Sequence, residues 1–481
     1  MKGKKPAIIA RHVHRKGLAA LKTGFFTKIS AVCLLISAGA LAALFSSTLR
    51  HAELLAYGIG MNISLVPLLL AGMAGMAATC AVTGGRVWRK GMARIWKTAA
   101  VSVAALLLTA LSGLLVHAFE VKYERGDINL DRAAAHARDL PEWQTRAAIL
   151  RAGILHGAGL DPLPARTPLN AVMHSRREEK GYSVENVCFE SIPGFFVAGN
   201  LYRPAVSGGN AKRPVVLLPQ GHFAADRFEE SVQRLGATFA RMGAVALSYD
   251  MVGRGENRQV PHHSPHALTM QLWDSMRALD FLLALPEADP SRVGMTGASG
   301  GGTQTFLCTA VDDRVAVAAP VVMVSSWCYG GCECEIGLPI HRGAGYVTNN
   351  AEIAALAAPR PLLVVSDGAD WTRSVPRLEM PYLSKVYDLF GRVSDVRNAH
   401  FPDEGHDYGP SKRQAVYRFF AKHLGLKTEG VMAPDGTFDE SANTIEPRRA
   451  LEAFNAEHPL SADALRGWDA VMAKLRSLQA R

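Results

Sequence analysis

Hydrophobic positions fall into two regimes along the chain. The first holds three long apolar stretches, about Ile29–Phe45, Met61–Val82 and Ala99–Phe119. The latter two approach the ~20 residues that cross a bilayer, and the first is shorter. From Val121 to about Ala165 the chain turns charged and helix-forming, closed by Pro162 and Pro164, and reads as a linker with a helical cover. A second regime of short runs follows. Tyr182–Ser191 alternates apolar and polar residues and leads through Ile192-Pro193-Gly194 into Phe195–Pro204, the pattern of a β-hairpin. Val215–Leu218 and Ala244–Tyr249 are nearly unbroken apolar runs, as expected of strands covered on both faces. Val293–Thr296, Val315–Val324, Pro361–Val365 and Val393–Ala399 supply further strands. Between them Glu229–Met242, His266–Leu285, Gly300–Ala310 and Lys412–Leu424 have helical spacing. Beyond Lys427 the chain is polar and Pro-containing, with a terminal helix predicted at Ala462–Leu478.

This alternation predicts an α/β fold: a mostly parallel sheet with helices on both faces and an antiparallel edge at the opening hairpin. The expected domains are a membrane region at 1–120, the linker and cover at 121–165, a catalytic domain at 166–427 and a C-terminal tail at 428–481.

Charge refines the membrane reading. The formal net charge is +10 over 481 residues. Lys2, Lys4, Lys5, Arg11, Arg15, Lys16, Lys22 and Lys28 all precede or open the first apolar stretch. Such a block orients a membrane segment, and no nucleic-acid reading motif accompanies it, so nucleic acid is not an expected partner. Arg86, Arg89, Lys90, Arg94 and Lys97 crowd the loop between the second and third stretches, whereas Ser46–Gly60 holds few basic residues. The positive-inside rule then places three spans with the remainder of the chain outside the cytoplasm. A rival reading starts the protein at Met92, with Thr98–Leu115 as the apolar core of a signal peptide ending near Val116-His117-Ala118. Either reading exports the later domain, anchored in the first case and secreted in the second.

The chemistry centres on Gly297-Ala298-Ser299-Gly300-Gly301, between a predicted strand and a predicted helix. A serine there must turn sharply out of the sheet, which small neighbours permit, and its hydroxyl emerges at the positive end of the helix. Serine is a poor nucleophile at neutral pH and needs a base, itself oriented by an acid. The acid is expected after a later buried strand, where Asp367 and Asp370 compete. Asp367 lies close enough to the strand end to cap the turn, and Asp370, farther along the loop, is favoured. The base is expected after the last strand, at His406 in Glu404-Gly405-His406-Asp407-Tyr408-Gly409, with His400 as the alternative. The oxyanion needs backbone donors. These are assigned to Gly300 and to His222 in Gln220-Gly221-His222-Phe223, with Phe223 second. The His222 side chain could instead line the pocket, and no acidic partner near it in sequence suggests a metal.

The motifs Gly297–Thr305, Gly368-Ala369-Asp370-Trp371-Thr372 and His406-Asp407-Tyr408 resemble the acetyl xylan esterase and cephalosporin-C deacetylase-like branch of the α/β hydrolases. The similarity extends to Gly199–Pro204, Tyr249–Gly255 and Asn349–Ile353, within about Trp143–Leu426. It implies an α/β-hydrolase fold and a serine esterase, and it places the acid directly before Trp371, at Asp370. Two features depart from the pattern. That branch commonly has His-Gly where this chain has Gln220-Gly221, and often a glutamine where it has Ala298.

The expected activity is therefore hydrolysis of carboxylic esters, foremost acetyl esters of carbohydrates or small molecules, with no cofactor and no metal. The oligomeric state is not set by these patterns. A prolyl-oligopeptidase-like peptidase is the enzyme alternative, although Val121–Ala165 is too short for the propeller such enzymes carry. A dienelactone-hydrolase-like role would need cysteine at Ser299. A non-catalytic, membrane-anchored binding protein is the alternative from another class.

Of the seven cysteines, Cys33 and Cys80 sit in apolar stretches. The other five are an odd number, which excludes a complete disulfide framework. Cys328, Cys332 and Cys334, with His341 beyond, lack a common zinc spacing and read as a disulfide or a structured loop. Asp250–Glu256 is glycine-rich but has no Walker lysine, and is expected to fix a loop through Asp250 and Arg254. His262, His263 and His266 read as a solvated loop and a helix start.

Overall fold

The structure, a computed structural model, describes residues 126–205, 212–336, 339–343 and 345–480. The three apolar stretches and the alternative start at Met92 lie outside the described residues. Among the described residues no helix is long and apolar enough to cross a membrane.

Helices α1 (Gly126–Ala134) and α2 (Leu140–Gly157) precede strands β1 (Val172–Glu179), β2 (Tyr182–Ile192) and β3 (Phe195–Pro204). Strand and helix then alternate through β4 (Arg213–Pro219), α3 (Glu230–Arg241), β5 (Val245–Tyr249), α4 (Ala267–Ala284), β6 (Ala288–Ala298), α5 (Gly300–Val311) and β7 (Val317–Val321). A short helix α6 (Glu333–Ile336), a small hairpin of β8 (Arg342–Gly343) and β9 (Tyr346–Val347), and helix α7 (Asn350–Ala355) come next. The chain resumes with β10 (Leu362–Asp367), α8 (Glu379–Asp388), β11 (Val396–Phe401) and α9 (Pro410–Leu424), and ends in α10 (Arg448–Leu451) and α11 (Trp468–Gln479).

Nine strands form one sheet in the order β1-β2-β3-β5-β4-β6-β7-β10-β11. The first three pair antiparallel, and β3 meets β5 antiparallel. Every pair from β5 through β11 is parallel. The apolar runs follow from this placement. On β4, Val215 and Leu217 enter the core on one face, while Val216 and Leu218 enter the core on the other. A strand covered on both sides has no position for a polar residue.

The antiparallel edge is one strand wider than the sequence suggests. Strand β1 reads Val-Met-His-Ser-Arg-Arg-Glu-Glu and is mostly exposed, so no alternation marks it. It is held by pairing with β2 and by the C-terminal segment: Arg177 Nε donates to Glu446 Oε2 at 2.6 Å, and His174 Nε2 lies 2.9 Å from Ala453 O. Strand β11 starts later than expected because Val393–Asp395 forms a 3-10 turn. The last helix likewise begins at Trp468, after Gly467 at φ +80°.

The helical cover is built into the domain. Asp139 caps α2 by accepting from Glu142 N at 2.9 Å. Trp143, Leu150 and Ile154 on α2 are buried in the same core as the sheet. Arg146 forms a bidentate pair with Glu352 of α7, at 2.8 and 2.9 Å, and both are buried. At the other end of the chain, Asn186 donates to Ala450 O and Glu452 O at 2.9 and 2.8 Å. Val471, Leu475 and Leu478 of α11 are buried in the same core.

Candidate active site

Strand β6 ends at Ala298 and α5 begins at Gly300, so Ser299 makes the whole reversal. It does so at φ +57° and ψ −124°, a left-handed conformation costly for a residue with a side chain. The neighbours allow it. A Cβ on Gly297 would lie 2.4 Å from Pro219 O, and one on Gly301 2.3 Å from the same oxygen. The turn therefore packs directly on the backbone at the end of β4. Ser299 N–H donates to Val321 O at 3.0 Å, which fixes the turn to β7 as well.

The loop after β10 carries both candidate acids, and the structure separates their roles. Asp370 is buried; its Oδ2 accepts from His406 Nδ1 at 2.6 Å, and its Oδ1 accepts from Thr372 N and Oγ1, each at 2.5 Å. Both oxygens are thus held in place. Asp367 is fully buried, accepts from Ala369 N at 3.2 Å as a turn cap, and lies 3.3 Å from Lys412 Nζ. Burial, reinforced by the charge of Asp370, pushes the Asp367 carboxyl up to about 7, with Lys412 pulling the other way.

His406 stands on the loop between β11 and α9, its ring 4.5 Å from Trp371 and 6.5 Å from Phe223. The loop is pinned from both sides. Lys412 Nζ donates to Gly405 O and, at 2.7 Å, to Asp407 Oδ1. The Tyr408 hydroxyl lies 2.6 Å from Thr296 Oγ1 on β6. His400 stays on β11, where Nδ1 is 2.9 Å from Ser366 Oγ. It is not the partner of Asp370.

The loop after β4 passes against the serine turn. A Cβ on Gly221 would meet Ala298 O at 2.4 Å and Ser299 Cβ at 3.0 Å, so only glycine permits the approach. Arg254 holds this loop, its Nη2 donating to Phe223 O and its Nε to Asp226 Oδ1, both at 2.7 Å. Asp250 pairs with the fully buried Arg227 and accepts from Glu256 N at 2.7 Å. The glycine-rich segment after β5 thus fixes loops through Asp250 and Arg254, as expected from sequence.

Two sequence expectations about histidine and cysteine are corrected. The His222 ring packs over Gly300 and faces His262, with the two Nε2 atoms 2.9 Å apart. His262 is buried, not solvated. Cys332 Sγ lies 3.2 Å from His262 Nε2 and Cys334 Sγ 3.3 Å from His222 Nε2. The described cysteines are free, which removes the disulfide expectation. Cys328 is in the hydrophobic core, and His341 Nε2 is 2.7 Å from Asn350 Oδ1, so neither joins this group. The four that meet are 40 and 112 residues apart in the pairs His222–His262 and His222–Cys334, a separation no local spacing reveals.

Comparison with known proteins bears on the fold and the family. A family model described as X-Pro dipeptidyl-peptidase (S15 family) matches residues 194–374. A solved structure named "Methylesterase BT1017" superposes with a TM-score of 0.68 at 39% identity, covering 74% of this chain and 81% of that one. The chain belongs to the α/β hydrolases, in the family of this methylesterase. Among curated relatives, polyketide transferase claH of Penicillium crustosum is 32% identical over 144 residues, 29% of this chain and 46% of its own length. The 4-O-methyl-glucuronoyl methylesterase of Neurospora crassa is 24% identical over 194 residues, 34% of this chain and 49% of its own. The chain thus spans about half the length of these curated relatives. In α/β hydrolases the functional residues follow the chain order serine, acid, histidine. Ser299, Asp370 and His406 follow β6, β10 and β11 in that order.

Proposed function

We propose that this chain is a serine esterase in which Ser299 attacks the carbonyl of a carboxylic ester. His406 takes the serine proton, and Asp370 holds the imidazole in the required tautomer and stabilises its cation. The N–H groups of Gly300 and His222 receive the developing oxyanion. His406 then protonates the leaving alcohol and activates the water that releases the acid from Ser299. The single observation behind this reading is the backbone of Ser299, at φ +57° and ψ −124° on a strand-to-helix turn. Strain of that kind is maintained where it serves a side chain's placement.

The substrates are esters of carbohydrates or small molecules. Acetyl esters are the first reading, from the resemblance of the serine, acid and histidine motifs. Methyl esters are the second, favoured by the printed name of the 39%-identical methylesterase, with uronic acids as the acid part suggested by the printed name of the 4-O-methyl-glucuronoyl methylesterase. The two differ in which side of the ester is small. Acetate release from acetylated xylan and methanol release from methyl glucuronate separate them in parallel assays. Turnover of neither substrate, nor of p-nitrophenyl acetate, by folded protein would remove the esterase reading. The anchored arrangement, with the hydrolase domain outside the cytoplasm, is part of this proposal and rests on the charge alternation around the apolar stretches.

A further inference from the structure

Four soft or borderline ligand atoms converge beside the serine turn. His222 comes from the loop after β4, His262 from the loop between β5 and α4, Cys332 from the residue just before α6 and Cys334 from α6 itself. Their ligand atoms all lie within 4.8 Å of one another. The closest separations are 2.9 Å between the histidine nitrogens and 3.2 and 3.3 Å between nitrogen and sulfur. Around a tetrahedral zinc ion, bond lengths of about 2.0–2.1 Å to nitrogen and 2.3 Å to sulfur put ligand atoms about 3.3–3.8 Å apart. The three close separations would open by a few tenths of an ångström, and no other pair would have to close by more than about 1 Å, to surround one ion.

The surroundings fit ligands better than they fit a hydrogen-bonded cluster. His262 Nδ1 lies 2.6 Å from Val252 O, and since a carbonyl only accepts, Nδ1 carries the proton. In the neutral ring its Nε2 then presents a lone pair to the cluster, the arrangement that orients metal-binding histidines. Cys332 and Cys334 are held on a preformed loop. Glu335, buried, accepts from Gly331 N at 2.8 Å, from Cys332 N at 3.3 Å and from Thr303 Oγ1 of α5 at 3.2 Å. His262, Cys332 and Cys334 are themselves buried, so thiolates there need a counter-charge that water does not supply.

We propose that His222, His262, Cys332 and Cys334 form a four-coordinate site for a zinc-class divalent cation, which clamps the loop after β4 to the start of α6. Two sulfurs and two imidazoles select such an ion over magnesium or calcium. With all four positions filled by protein the ion is structural, with no open position for a water or a substrate. Its consequence for the ester site runs through His222, whose ring lies 3.1 Å from where a Cβ on Gly300 would stand. Fixing that ring fixes the backbone proposed to donate to the oxyanion. This consequence rests on the esterase reading, and metal retention does not.

The test is metal analysis of the full-length protein, expressed with zinc and dialysed against metal-free buffer. About one zinc per chain is expected, falling to about a tenth or less in the Cys332→Ser/Cys334→Ser double variant and remaining in His263→Ala, an exposed neighbour. If the double variant does not fold, cobalt substitution of the wild type gives a second reading. Thiolate-to-cobalt charge transfer with the intense visible bands of tetrahedral cobalt supports the site. Wild-type protein that retains no transition metal and gives no such bands overturns it, as does a Cys332–Cys334 disulfide in peptide maps. Zinc with no ester turnover supports the site and removes the esterase reading. Turnover without any bound metal does the reverse.

Discussion

The Tyr408 hydroxyl lies 2.6 Å from that of Thr296, and so ties the loop carrying His406 to the strand that delivers Ser299. Thr296 Oγ1 already donates to Ala319 O at 2.7 Å, which leaves Tyr408 as the donor of the pair. Both side chains are buried, so water does not compete. The bond spans 112 residues of chain and sets the base and the nucleophile on one frame.

Tyr408→Phe removes that donor and leaves Thr296 bonded to Ala319. A net loss of about 1 kcal/mol of stability is expected. Turnover should fall further than this small loss implies, because the His406 loop gains freedom. Urea denaturation and steady-state ester hydrolysis of the same preparation measure the two effects. A kcat equal to wild type would mean that Lys412 alone positions the loop.

The Arg146–Glu352 pair joins the helical cover to α7. Arg146→Met strands a buried carboxylate and should cost about 3–5 kcal/mol, whereas the double replacement Arg146→Met/Glu352→Leu should recover most of it. Chemical denaturation of the three proteins checks this. Equal stability of the single and double variants would contradict it.

Gly221→Ala would push a methyl group onto Ala298 O, 2.4 Å away, which belongs to backbone and cannot swing aside. The loop carrying His222 must shift. Loss of an oxyanion donor costs about 10²–10³ in kcat, and a decrease of that order is expected here with the fold retained by circular dichroism. Unchanged turnover would separate this loop from catalysis.

Asp274 supplies a pH test. It is buried on α4, and burial pushes its carboxyl up to about 8, with Ser191 and Arg277 pulling less strongly downward. An acid whose folded pKa exceeds its unfolded value of about 3.9 favours the folded state while protonated. That stability is fully present below the unfolded pKa and is lost as pH rises through about 8. Asp274→Asn cannot ionise. Relative to this variant, the wild type should lose stability between pH 5 and pH 8.5, read from urea midpoints at both values. Parallel curves would contradict the shift.

How far the sequence carries depends on where each interaction lies. Strands β4, β5 and β10 are legible because both faces are buried and the runs are apolar. The exposed edge strand β1 is not, because its partners are a neighbouring strand and the C-terminal segment. Helix α8 escapes notice for another reason: Pro381 and scattered charge in Glu379–Asp388 break the helical signal. At the site, Ser299, Asp370 and His406 could be placed because each follows a recognisable strand. Asp370 is already favoured over Asp367 by its distance from the strand end, and the partners of the two carboxylates, His406 and Lys412, are what three-dimensional distance adds. The meeting of His222 and His262 with Cys332 and Cys334 is set by three loops crossing at one end of the sheet, and no segment carries its signature.

The most direct test of the central claim is labelling of the full-length protein with a fluorophosphonate, read by intact mass and peptide mapping, beside ester hydrolysis. The account predicts one adduct on Ser299, none in Ser299→Ala, and turnover reduced in that variant by about 10⁶. An adduct on another residue, or hydrolysis that persists in Ser299→Ala at the wild-type rate, would contradict it.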